Sequence, residues 1–83
     1  MNHVVLSRGT FIKNMATGVF KEYAVVMTDN GTTLVAKNGA GMGFALGNAA
    51  GDLRYFANIM QPTLLLSKNN VCRFTVEIEA VAA

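Results

Sequence analysis

The sequence predicts a small α+β domain, a β-sheet of about five antiparallel strands in the order β-β-β-α-β-β, with one helix packed on one face. Three observations carry this. Cys72, Phe74, Val76, Ile78 and Ala80 alternate with Arg73, Thr75, Glu77 and Glu79, the period of a strand with one buried face. Asn30-Gly31 stands between two strand-like runs, where a tight hairpin turn is expected. Ala49, Leu53, Phe56, Ala57 and Met60 fall along one stripe of a helix.

The elements follow in order. Val4 to Lys13, rich in Val, Ile, Phe and Thr, reads as a first strand, with Gly9 as a bulge or bend. Asn14 to Gly18 reads as a loop. Val19 to Thr28 reads as a second strand with two mixed faces, hence central and partly covered on both sides. Asn30-Gly31 is expected to form a type I′ turn, leading to a third strand from Thr32 to Lys37. Residues 38–51 carry Gly39, Gly41, Gly43, Gly47 and Gly51. They admit two readings: a strand over Gly41 to Gly47 with Met42, Phe44 and Leu46 on one face, or a loop before a helix from Ala49 to Met60. Asn48 as N-cap and Pro62 as a stop favour the second. Thr63 to Ser67 reads as a short strand, Asn69-Asn70 as a turn, and Val71 to Ala80 as the last strand, with Cys72 on its core face.

All 83 residues fit one domain. One Cys excludes an internal disulfide, and Cys72 with His3 is too small a set for a structural zinc site. The chain is 52% hydrophobic and 14% charged. So few charges cover a small domain poorly, and self-association is expected. Val4-Val5-Leu6 ends at Ser7-Arg8, and the longest charge-free run is glycine-rich. No signal peptide or membrane helix is expected, and the expected location is cytoplasmic.

No constellation of catalytic groups stands out. Cys72 has no nearby base in sequence, and Glu77 with Glu79 reads as a solvated strand face. Gly39 to Gly43 is not followed by the Gly-Lys-Ser/Thr of a phosphate-binding loop. The strand order resembles the three-strand meander and following helix of ribonuclease H-like domains in topology alone. The first strand offers Ser7 and Arg8 where that family places metal-binding acids. The expectation is therefore no enzyme, no cofactor and no metal.

The leading expectation is a non-catalytic, self-associating protein-binding or assembly module, a profile shared by small accessory proteins of phages and mobile elements. Gly41, Met42, Gly43, Phe44, Arg73 and Glu77 are its candidate protein contacts. The alternative is single-stranded nucleic-acid binding on a basic and aromatic sheet face. Arg8, Lys13 and Lys21 would follow the backbone there, with Phe11 and Tyr23 as stacking platforms. The net charge of +2 permits this without demanding it.

Overall fold

The computed structural model describes residues 3–79. It is an α+β structure with the order β1 (Val4–Leu6), α1 (Arg8–Ala16), β2 (Phe20–Thr28), β3 (Gly31–Asn38), β4 (Gly43–Leu46), α2 (Met60–Lys68) and β5 (Thr75–Ile78). The strands form one sheet in the spatial order β1-β4-β3-β2-β5. β2, β3 and β4 are an antiparallel meander, while β1 runs parallel to β4 and β5 parallel to β2. The sheet is thus mixed rather than purely antiparallel, and the described residues form two helices rather than one.

The first correction is at Val4 to Lys13. The strand ends at Leu6, and the chain turns through Ser7 into α1. Phe11 and Met15 are four residues apart and both buried, so one helical stripe accounts for the apolar residues that read as strand-like. A left-handed Gly18 closes the helix, with φ at 77°. Val19 donates its N–H to Asn14 and Gly18 to Met15, the double hydrogen bond of a Schellman cap.

The expected hairpin is present, but its turn sits one residue earlier. Thr28 pairs with Gly31, leaving Asp29-Asn30 as the turn. Neither has positive φ, which falls instead on Gly31 at 131°. The turn is therefore not type I′. The Thr28 hydroxyl holds it, donating to Gly31 O at 2.8 Å and accepting from Asn30 N at 3.1 Å.

Residues 38–52 contain one device used twice. In Asn38 to Met42 and in Asn48 to Asp52, the Asn Oδ1 accepts two backbone N–H groups, from the residues two and four places on. The glycine three places on, Gly41 or Gly51, adopts positive φ and donates to the Asn carbonyl. Between these turns lies β4, so the strand reading of this region is the one that forms. The helix over Ala49 to Met60 does not. The left-handed Gly51 interrupts it, and Phe56 is drawn into a two-bond bridge with Thr32 on β3.

Helix α2 replaces the strand expected over Thr63 to Ser67. Pro62 lies in its first turn, where a missing N–H leaves no intrahelical bond unmade. Asn58 accepts from the N–H groups of Met60 and Gln61 just ahead of the helix. The expected turn at Asn69-Asn70 is the helix C-cap, with Asn70 left-handed at φ 64° and Val71 donating to Leu66. The last strand shortens to Thr75–Ile78, and Cys72 lies before it and is exposed, not in the core. Ala80 lies outside the described residues.

Both helices cover the same face. Phe11, Met15 and Leu66 pack there with Val25, Leu34, Ala36, Leu46 and Phe56. Ala24, Val26, Val35 and Ala45 form a second cluster on the opposite face, flanked by Val5 and Leu53. β2 lies between β3 and β5, as its mixed faces imply.

Candidate interaction surface

Among the described residues, β5 lies at one edge of the sheet and pairs only with β2. All four of its residues are exposed. Its register with β2 sets Val76 beside Val25 and Ile78 beside Met27, on the helix-bearing face. Thr75 and Glu77 lie beside Ala24 and Val26 on the other. Ile78 is 79% exposed, Val76 50% and Met27 42%. Three adjacent apolar side chains thus stand in solvent at a free edge. Edge strands in soluble proteins are commonly blunted by Pro, Lys or a bulge, and Thr75 to Ile78 has none of these. Glu77 supplies its single charge.

The expected protein contacts do not form one surface. Gly41 and Met42 are at the β3–β4 turn, and Gly43 and Phe44 begin β4. Phe44 packs on the core within 5.6 Å of the Phe20 ring centroid. Gly43 lies under the His3 ring, where a Cβ would collide with it. Arg73 and Glu77 belong to the other edge, with β3 and β2 between.

The expected nucleic-acid contacts are also dispersed. Arg8, Phe11 and Lys13 are on α1 rather than on a strand. Phe11 is fully buried and stacks against Phe20 at 4.9 Å, so its ring offers no face to a base. Tyr23 is half-buried and edge-on to Phe20. Burial pushes its hydroxyl above its ordinary value of 10.0. Lys21 is exposed at the bulge in β2.

The chain matches no family model, no curated protein and no solved structure. Geometry alone therefore bears on function.

Two depressions lie among the described residues. One, of about 260 Å³, opens on the helix-free face over Ala24, Val26 and Val35. His3, Glu22, Lys37 and Glu77 line it, a rim of mixed charge. The other, of about 490 Å³, lies beside α2 between Leu46, Phe56, Leu64 and Leu65, with Arg8, Arg54 and Lys68 around it. Among the described residues no three of His, Cys, Asp and Glu gather as metal ligands, and no helix is long and apolar enough to cross a membrane.

Met27, Val76 and Ile78 as a surface, and Arg8, Arg54 and Lys68 around one depression, were not expected from the sequence. The alternation in Val71 to Ala80 is the same whether the apolar face meets a core or a second chain. Only the position of the strand in the sheet distinguishes the two.

Proposed function

We propose that this chain is a non-catalytic assembly module that self-associates by antiparallel pairing of β5 with β5 of a second copy. The observation that carries the reading is the exposure of Val76 and Ile78 on an unpaired edge. Burying them there removes apolar surface from water, at roughly 25 cal/mol per Å².

The register follows from charge and chain direction. Glu79 donates its N–H to Met27, toward β2. Backbone groups alternate along a strand, so those of Val76 and Ile78 point outward, free to pair. A two-fold axis through Val76 sets it against the partner's Val76 and exchanges two hydrogen bonds. Phe74 then lies opposite the partner's Ile78, and Thr75 opposite the partner's Glu77. Arg73 lies opposite the partner's Glu79, twice in the dimer. The neighbouring register, centred on Glu77, would set Glu77 against the partner's Glu77, and like charges directly opposite are unfavourable.

Light scattering tests this on the full chain. The expected mass at micromolar concentration is about twice the 8.9 kDa of the chain. Val76→Lys, which puts two ammonium groups face to face, returns it to the monomer mass with the fold intact. Arg73→Glu weakens the dimer, and Arg73→Glu with Glu79→Arg together restore it. A wild-type mass of one chain even at the highest attainable concentration, or a dimer that tolerates Val76→Lys, would overturn the proposal.

A further inference from the structure

The groove beside α2 combines apolar side chains with cations. Gln61, Leu64, Leu65 and Lys68 are spaced at i, i+3, i+4 and i+7, so one face of α2 forms one wall. Leu46 and Phe56 lie on the side of the core. Three of the chain's seven Lys and Arg residues line this one depression, and no Asp or Glu does. The Arg54 guanidinium lies 4.7 Å above the Phe56 ring centroid, which fixes a cation beside the apolar floor. Arg8 is the first residue of α1, and neither helix has an acid in its first turn. The positive ends of both helices are thus left without a carboxylate of their own.

An apolar floor beneath several cations is complementary to one kind of ligand. The floor needs an apolar body, and the rim needs a negative head. The size is within the range of small-molecule sites. We propose that this groove binds an amphiphilic anion, a single aliphatic chain ending in a carboxylate or a phosphate. The chain lies along Leu64, Leu65 and Phe56. The head accepts hydrogen bonds from Arg54, Lys68 and Arg8, and charge assistance makes these contacts stronger than neutral ones. The site uses no residue of β5 and stands independently of self-association.

Amide chemical-shift titration of the isotope-labelled full chain tests it, with decanoate, decyl phosphate, decanol and inorganic phosphate, each below any micelle concentration. Decanoate and decyl phosphate are expected to saturate and to shift the amides of Arg8, Arg54, Gln61 and Lys68. Whichever binds tighter identifies the head group. Decanol and inorganic phosphate, each lacking one half of the ligand, are expected to bind about tenfold more weakly or less. Arg54→Gln with Lys68→Gln is expected to cost a similar factor while the urea midpoint falls by no more than about 1 M, both side chains being exposed and the Arg54–Phe56 contact the one lost. Leu64→Asn, also at an exposed position, weakens decanoate and leaves inorganic phosphate unchanged. Decanol binding as tightly as decanoate would overturn the proposal. So would unchanged affinity in the double variant, shifts centred on Met27, Val76 and Ile78, or displacement of decanoate by a single-stranded oligonucleotide.

Discussion

Replacing Phe11 by Ala distinguishes a core ring from a binding platform. Phe11 is fully buried and packs against Phe20 at 4.9 Å. A buried Phe→Ala change costs about 3–5 kcal/mol, as transfer free energy and as the cavity left behind. An 83-residue domain has about 4–12 kcal/mol of stability in total, so the change removes a large part of it. With a urea m-value of about 1 kcal/mol/M for so small a chain, the midpoint falls by about 3–5 M, or the variant is unfolded in buffer. Phe11→Leu keeps most of the volume and costs roughly 1–1.5 kcal/mol. It remains folded, so the pair gives a graded result. Far-UV circular dichroism against urea, at fixed protein concentration because self-association shifts apparent stability, reads both. A loss below about 1 kcal/mol for Phe11→Ala would refute the placement of α1 against the sheet.

Other expectations follow from single contacts. Gly47→Ala brings a Cβ to 2.7 Å from the Leu6 carbonyl oxygen and 2.9 Å from that of Asp52, so it is expected to lower the melting temperature. Gly39→Ala, whose nearest neighbour is Lys21 Cγ at 3.9 Å, is expected to change it far less. Asn70→Gly relieves the left-handed backbone at φ 64° and is expected to be neutral or stabilising, while Asn70→Val costs about 1 kcal/mol or more, both read by urea denaturation. Burial raises the Tyr23 hydroxyl, so folding favours its protonated form. Stability is then complete below 10.0 and is lost as pH rises from that value through the raised folded one. Tyr23→Phe removes this part of the alkaline slope in denaturation measured as a function of pH.

The α+β class and the interior place of Val19 to Thr28 in the sheet were legible in the sequence. So were the hairpin that follows, with its turn one residue earlier than expected, and a strand at Thr75 to Ile78, though not its exposure. Those are local signals: a period of two, a short polar turn, apolar residues on both faces of one run. Thr10 and Ile12 are β-branched and read as strand, but the helix over Arg8–Ala16 forms because Phe11 and Met15 can be buried together only when four residues lie on one turn. Met60–Lys68 is likewise a helix because Leu66 meets the core and Pro62 falls in the one turn that tolerates it. The paired turns at Asn38 and Asn48 had a sequence signal, an Asn followed three places on by Gly, and it marks where the expected helix at Ala49 fails. Which strand becomes an edge was set by long-range packing. Cross-strand pairing joins residues far apart in sequence, as with Val76 beside Val25, and no local pattern encodes it. That pairing turns Val76 and Ile78 from expected core into exposed edge, and the packing of α2 sets Lys68 on the depression that Arg8 and Arg54 also line.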